Sequence, residues 1–255
     1  MADRTRRVDR GRSHSYLLDG KPVLGVTTII NKALPKPALT AWAAREVAEF
    51  VAARREILTK LSDDELIDLT KGAPFRERDR AANRGTEVHR LAEQLARGQE
   101  IQVPDELIGH VDAYIGFLEI FKPSSALLER PVFNRTYRYG GTFDLVCTID
   151  ELGARCLLDI KTNRSGPFGE MALQLAGYGN AEFYVDEDGH EQPMPLIDFY
   201  GVCWVRADGF DLVPYQVTEL EFRQFLFCIQ TAWWIDHRMP LVKGEALYQR
   251  LAVPA

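Results

Sequence analysis

Two neighbouring stretches decide how this chain folds: GGTFDLVCTID at residues 140–150 and LLDIKT at residues 157–162. Both are rich in apolar residues and are separated by a short turn-forming segment, so we expect two antiparallel strands joined as a hairpin. Side chains alternate along a strand, so Asp159 and Lys161 share one face of the second strand. Folding the hairpin back brings Asp144 beside them across the ladder.

This placement concentrates charge where a sheet is normally apolar. Two carboxylates at that distance repel strongly in a low-dielectric surrounding unless a cation lies between them. An ordinary Asp–Lys ion pair on a solvated face is the alternative. The pattern of Gly-Gly, then Asp144, then Asp159-x-Lys161 is unusual for such a face, and it favours a metal site.

Length and composition predict a globular protein with a buried core. The chain has 255 residues, and its formal net charge is −6. No apolar run approaches the length that spans a membrane, and the arginine-rich N-terminus lacks the apolar segment of a signal peptide, so we expect a cytoplasmic protein without membrane contacts. The negative charge argues against coating nucleic acid with the whole surface, but it allows a local basic groove.

The pattern divides the chain into four parts. Residues 1–13 are a basic, flexible tail whose arginines are either disordered or in contact with phosphates. Residues 14–123 form a hairpin followed by helices that cover the site. Residues 124–240 form the core that contains the central hairpin, and residues 241–255 are a C-terminal tail. Helices come first and a mostly antiparallel sheet follows, so the fold class is α/β or α+β.

Local signals place the individual elements. Asp19-Gly20-Lys21 predicts a hairpin turn, and Ser62 with Glu65 predicts a capping box at the start of a helix. Expected helices span residues 27–34, 38–58, 62–72, 74–96, 105–121, 168–184 and 219–237. Expected strands outside the central hairpin span residues 126–129, 132–137, 197–205 and 210–217.

Four further residues line up with the hairpin in sequence order. His89 follows Gly85 by four residues on a helix that precedes the sheet, and Glu129 ends a strand just before the hairpin. Gln174 and Tyr178 are four apart on the helix that follows it, so both project from one helix face. Each residue has an ordinary structural explanation as well. His89 and Gln174 are then surface residues, Glu129 pairs with its neighbour Arg130, and Tyr178 belongs to the core.

Taken in order, the motifs G-x-x-x-H, Glu, G-x-x-D, D-x-K and Q-x-x-x-Y resemble the RecB-like branch of the PD-(D/E)xK nucleases. That branch includes nuclease domains of bacterial recombination helicases, CRISPR-associated RecB-like exonucleases and many phage exonucleases. The resemblance covers roughly residues 84–178 and implies a restriction-endonuclease-like core, a mixed sheet flanked by helices. Phe143 stands where the superfamily name has proline, at a position that varies widely.

The resemblance implies a metal-dependent DNA exonuclease that acts on a free end in phage or bacterial DNA recombination or processing. A phage-encoded member of this branch works in the host cytoplasm. The resemblance also allows for a partner protein from recombination or replication. The rival interpretations are a structure- or site-specific endonuclease on the same core and a catalytically idle nucleic-acid-binding module. A binding module has no need of paired buried acids, which speaks against the last of these.

The expected metal is Mg²⁺ or Mn²⁺, because both prefer hard oxygen ligands such as Asp144 and Asp159. The resemblance adds the backbone carbonyl of Ile160 and the ring of His89 as ligands. Many CRISPR-associated members carry an iron–sulfur cluster on one N-terminal and three closely spaced C-terminal cysteines. The cysteines here are Cys147, Cys156, Cys203 and Cys228, which do not fit that pattern, so we expect no such cluster.

The remaining roles concern water and DNA. Lys161 lies on the face of Asp159 and orients the attacking water or neutralises developing charge. The resemblance assigns Glu129 to a metal-bound water or a second ion, and it assigns Gln174 and Tyr178 to positioning Lys161 and the DNA backbone. The expected phosphate contacts are Arg84 and Arg164.

Overall fold

The computed structural model describes residues 4–11, 13–245 and 247. A mixed sheet of ten strands runs through the molecule and helices pack against it, which confirms the expected fold class. None of the described helices is both long and apolar enough to cross a membrane.

The N-terminal residues form strands rather than the expected flexible tail. Strand β1 (Arg6–Arg10) pairs antiparallel with β2 (Ser13–Leu18), which turns into β3 (Lys21–Gly25). Charged side chains do not prevent this, because the ladder uses only backbone groups and β1 lies at the edge of the sheet. Residues 1–3 and 12 of the expected tail lie outside the described residues, as do residues 246 and 248–255 of the expected C-terminal tail.

The helices of the N-terminal half follow the expected order, except that one expected helix is divided into two. Its helices are α1 (Val26–Ala33), α2 (Pro37–Ala53), α3 (Arg55–Leu58), α4 (Asp63–Lys71), α5 (Ala73–Ala96) and α6 (Ile108–Phe121). The helix expected over residues 38–58 is interrupted at Arg54, whose backbone leaves the helical conformation. The Ser62 capping box forms, with the Ser62 hydroxyl accepting from the backbone of Glu65 and the Glu65 carboxylate accepting from that of Ser62.

The second half supplies the rest of the sheet. It consists of β4 (Ser124–Asn134), β5 (Tyr139–Ile149), β6 (Ala154–Lys161), α7 (Met171–Gly179), β7 (Phe183–Val185), β8 (Glu191–Pro193), β9 (Phe199–Arg206), β10 (Gly209–Tyr215) and α8 (Glu219–His237). The two strands expected between residues 126 and 137 are one strand, β4. The helix expected to reach residue 184 ends at Gly179, because Phe183 and Tyr184 pair with β4 instead.

The hairpin β5–β6 is the centre of this sheet. Strand β5 pairs antiparallel with both β4 and β6, and β6 pairs parallel with β9. Along its first residues β5 also pairs parallel with β3, which attaches the N-terminal hairpin to the same sheet. The sequence boundary at residue 123 therefore does not separate two sheets.

Alternation along the hairpin divides the core into two layers. Val146 and Leu157 belong to the cluster that packs under α1, α7 and α8, whereas Leu145 and Leu158 belong to the one under α6. Cys147 and Cys156 lie opposite each other in the second cluster, as small buried side chains. Both faces of the hairpin are therefore covered, which makes its charged residues energetically costly unless they are compensated.

The Gly-Gly pair at the start of β5 is required by two tyrosines. A Cβ atom at Gly141 would lie 2.6 Å from Cε1 of Tyr178, and one at Gly140 would lie 2.9 Å from Cβ of Tyr16. Real Cβ atoms do not approach carbon atoms that closely, so both rings pack directly on the glycine backbone. The pair thereby admits Tyr178 from α7 and Tyr16 from β2 to the floor of the site.

We expect Gly141→Ala to destabilise the protein by about 1–3 kcal/mol, the usual cost of inserting a methyl group into a close-packed core. Chemical denaturation measures the change. Gly169→Ala is the matched control, because its Cβ would meet no atom within 4 Å. Equal stability of the two variants would contradict the packing described for Tyr178.

Candidate metal centre

The hairpin brings Asp144 and the Asp159–Lys161 pair together. Leu145 of β5 pairs with Leu158 of β6, so Asp144 and Asp159 occupy the next positions along the two strands. The Asp144 carboxylate accepts a hydrogen bond of 2.6 Å from the backbone N–H of Ile160, which fixes its orientation. Both carboxylates are largely buried, with side-chain exposures of 11% for Asp144 and 3% for Asp159.

Helix α5 adds His89 to this group from the helical part of the chain. Its Nε2 lies 2.9 Å from the carbonyl oxygen of Ile160, and its Nδ1 lies 3.5 Å from Glu129 Oε1 and 3.6 Å from Asp144 Oδ1. Both ring nitrogens thus face acceptors only. Each nitrogen must carry a proton to donate to these acceptors. The arrangement therefore favours the doubly protonated, cationic ring in the metal-free protein.

Glu129 reaches the centre through an unusual backbone conformation. Leu128 pairs with Leu145 and Arg130 with Phe143, which places Glu129 opposite Asp144 in the β4–β5 ladder. Its φ angle is +50°, in the left-handed region that a strand residue other than glycine seldom adopts. Such strain costs about 1–3 kcal/mol and concentrates at functional sites. One ligand atom each from His89, Glu129 and Asp144 lies within 4.8 Å of the others.

Asp159 is held by two side chains, Lys161 and Gln174. Lys161 Nζ lies 2.5 Å from Oδ2, and Gln174 donates a hydrogen bond of 2.5 Å to Oδ1 from helix α7. Gln174 also lies 3.3 Å from the hydroxyl of Tyr178, so the two α7 residues act as one unit. Gln174 therefore contacts Asp159 and not Lys161, the residue it was expected to position.

The charges in this group shift one another's pKa values. Burial raises the pKa of Asp159 to about 6, against the opposing effect of Lys161, and burial likewise raises that of Asp144. Burial alone would lower the pKa of His89, but Asp144 and Glu129 outweigh it and raise the value to about 9. The carboxylates also raise the pKa of Lys161 against the effect of burial. At neutral pH the lysine is charged, which suits it to neutralise charge rather than to abstract a proton.

The donor set fits a divalent cation with a preference for oxygen ligands. His89, Glu129 and Asp144 supply the tight cluster, and the Ile160 carbonyl lies 2.9 Å from Nε2 of the same histidine ring. Asp159 Oδ2 is buried beside them, 2.5 Å from Lys161 Nζ. The carboxylates and the carbonyl are hard oxygen ligands of the kind that Mg²⁺ and Mn²⁺ prefer, and His89 adds one nitrogen ligand. The structure thus brings the four expected ligands together. Glu129, which was expected to hold a metal-bound water or a second ion, is itself part of the tight cluster.

The centre lies in a cleft of about 1210 Å³. Its lining includes every expected catalytic side chain: Glu129, Asp144, Asp159, Lys161, Gln174 and Tyr178. Helices α2, α3 and α4, which are fully described, contribute nothing to that lining. Instead α2 and α4 pack against α5, and α3 packs against α2. The helical part therefore covers the site mainly through α5, not through its whole length.

The two arginines expected to contact DNA are not part of this lining. Arg84 is absent from the lining, and its charge acts on His110 of α6, where burial and then the charge of Arg84 lower the pKa of the ring. Arg164 lies in the exposed loop between β6 and α7. Sequence reasoning missed the cleft residues Asn83, Thr86 and Arg90, although their spacing at i, i+3 and i+7 places them on one face of α5.

No protein-family model matches this chain, and no curated protein matches it. Among solved structures, the chain is similar to one described as "Crystal structure of SSO0001", at 15% sequence identity and a TM-score of 0.33. The alignment covers 62% of this chain and 72% of that chain. A TM-score at this level carries no argument about fold or function.

We expect metal binding at pH 7 to release close to one proton from His89. The pKa of this ring is about 9 in the metal-free protein, and a metal binds only the neutral ring. Affinity for Mn²⁺ should therefore rise about tenfold per pH unit between pH 6 and 8. Titration calorimetry in buffers of different ionisation enthalpy counts the protons. His89→Gln should bind more weakly and release far fewer, and an unchanged count in that variant would contradict the assignment.

Proposed function

We propose that this protein is a divalent-metal-dependent deoxyribonuclease that degrades DNA from a free end, of the RecB-like type within the PD-(D/E)xK superfamily. The observation that carries the proposal is the convergence of motifs far apart in sequence. His89, Glu129 and Asp144 approach within 4.8 Å, and Asp159 with Lys161 lies directly beside them in the same cleft. Ion pairs that only stabilise a fold do not need three carboxylates around one histidine.

Phosphodiester hydrolysis requires a nucleophilic water, neutralisation of the charged phosphorus centre and stabilisation of the leaving oxygen. A divalent cation supplies Lewis acidity and lowers the pKa of water. The protein's own residues fix the geometry: the Ile160 N–H orients Asp144, and Gln174 orients Asp159. The positively charged Lys161 stabilises the negative charge that develops on the phosphate oxygens. Water attacks in line, and the products carry a 5′-phosphate and a 3′-hydroxyl, as the resemblance implies.

The shape of the cleft supports action from an end. Helix α5, strand β1 and strand β2 each contribute residues to the lining. Helix α7 contributes Gln174 and Tyr178. Side chains therefore approach the acidic centre from several elements, not from one open surface. An endonuclease must admit an uninterrupted strand or duplex, which this enclosure does not favour.

Single substitutions test the catalytic assignment. Asp144→Ala, Asp159→Ala and Lys161→Ala should each lower DNA hydrolysis in Mg²⁺ or Mn²⁺ by at least about 100-fold, because each removes charge that acts on the transition state. Asp188→Ala is the matched control, since Asp188 is an exposed acid in another carboxylate–histidine group. Circular dichroism checks that the variants fold. Near-normal hydrolysis by folded Asp159→Ala or Lys161→Ala would refute the proposal.

The requirement for an end has its own test. A covalently closed single-stranded circle is incubated beside the same DNA in linear form, with the 5′ or 3′ end labelled. We expect the linear form to be degraded and the circle to survive, because only the linear form can enter the cleft end first. Digestion of both at equal rates would replace the exonuclease proposal with an endonuclease.

A further inference from the structure

One wall of the cleft takes no part in the chemistry proposed above. Strands β1 and β2 contribute Arg6, Arg7, Asp9, His14 and Tyr16 to the lining. Every side chain of β1 is exposed or half-buried, so the strand adds little hydrophobic stabilisation. Charges on an edge strand commonly protect it from pairing with other chains. Edge protection does not require, however, that the charges face the same cleft as an acidic centre.

The N-terminal hairpin holds this wall against the start of the Asp144 strand. Arg7 of β1 pairs with Tyr16 of β2, so the two side chains lie on the same face. Tyr16 packs on β5, where a Cβ atom at Gly140 would lie 2.9 Å from Cβ of Tyr16. A polynucleotide bound along the wall can therefore reach the acidic centre through a short segment.

Side chains connect the wall to the centre without a break. The rings of His14 and Tyr16 meet edge to face with centroids 5.3 Å apart, and the Tyr16 hydroxyl lies 3.0 Å from that of Thr142. Thr142 is two residues before Asp144 and shares its side of the strand. Burial raises the pKa of Tyr16, while Arg7 lowers it and Glu129 raises it, so charges of the wall and of the centre both act on one hydroxyl.

The chemistry of the wall suits a phosphate chain with exposed bases. Arg7 Nε contacts Asp9 Oδ1 at 2.8 Å, and the Asp9 side chain is 67% exposed. An exposed pair of this kind contributes only about 0–1 kcal/mol, so a phosphate can take the place of the carboxylate. Guanidinium groups match phosphate geometry through paired donors. The exposed ring of His14 offers a stacking surface for a base.

We propose that Arg7 and Arg6 bind the phosphates of a single polynucleotide strand that leads to the acidic centre, and that His14 stacks on one of its bases. The cleft exceeds the roughly 300–1,000 Å³ of sites for small ligands, in keeping with a polymer segment. This strand-guiding site rests on the proposed nuclease function, since it binds the substrate of the same centre.

The test measures binding of a fluorescently labelled 12-nucleotide single strand in an Asp159→Asn background, to suppress hydrolysis. We expect Arg7→Ala to weaken binding about fivefold or more at low salt and to reduce the salt dependence by about 0.7 in log–log slope, the value for one lost phosphate contact. Arg10→Ala, on the same strand but absent from the cleft lining, is the matched control and should change neither quantity.

A second variant separates binding from a structural role of the strand. Asp9→Asn removes the competitor of Arg7 and a negative charge, so we expect it to tighten binding. If Arg7→Ala and Asp9→Asn both weaken binding while thermal unfolding shows loss of stability, the pair only supports the strand, and the guiding site is refuted. His14→Ala should weaken binding without changing the salt slope, because stacking displaces no counterions.

Failure of this inference is distinguishable from failure of the proposed function. If the wild-type protein hydrolyses DNA but Arg7→Ala binds as Arg10→Ala does, only the guiding site is wrong. If the wild-type protein hydrolyses no nucleic acid while Arg7→Ala weakens and Asp9→Asn tightens binding, the guiding site is supported and the nuclease proposal alone fails.

Discussion

The structure depends on keeping three carboxylates together at the floor of one cleft. Burial raises the pKa values of Asp144 and Asp159, yet Glu129 joins them through a strained backbone. Water cannot solvate these charges fully, so neighbouring cations must stabilise them. In the metal-free protein the cationic ring of His89 and the ammonium of Lys161 supply that charge. In the proposed metal-bound state a divalent cation would replace the histidine proton and supply this charge instead.

The fold meets this constraint by fixing each group from a different element. The β5–β6 hairpin carries Asp144, Asp159 and Lys161, and covered faces on both sides hold it rigid. Helix α7 contributes Gln174 as a donor to Asp159, and its Tyr178 ring packs on the bare backbone of Gly141. Side chains held from separate rigid elements lose little further freedom on binding a metal, which is how proteins preorganise such centres.

The electrostatics of the cleft would couple the proposed metal to the proposed polyanionic substrate. An acidic centre repels phosphate, so in a nuclease of this kind DNA would approach only when a cation has neutralised part of the charge of the centre. Arginines in the walls are already paired with acids: Arg7 with Asp9, and Arg90 with Glu87. Such pairs offset part of the negative charge of the cleft, and in the proposed complex a phosphate chain would exchange for the exposed carboxylates. We therefore expect a bound metal to raise the affinity for DNA, and bound DNA to raise the affinity for the metal.

The sequence by itself determined the hairpin, its facing acids and the capped helices, because each depends on local periodicity or on neighbours within a few residues. It also indicated the order of the site residues. Only the tertiary structure decided which of them meet: Glu129 reaches Asp144 through a left-handed backbone, and Gln174 contacts Asp159 instead of Lys161. Arg84 is absent from the cleft lining, whereas Arg7 belongs to it. Those outcomes depend on how α5 is rotated and where β1 joins the sheet, which are set by long-range packing and backbone pairing that no local pattern encodes.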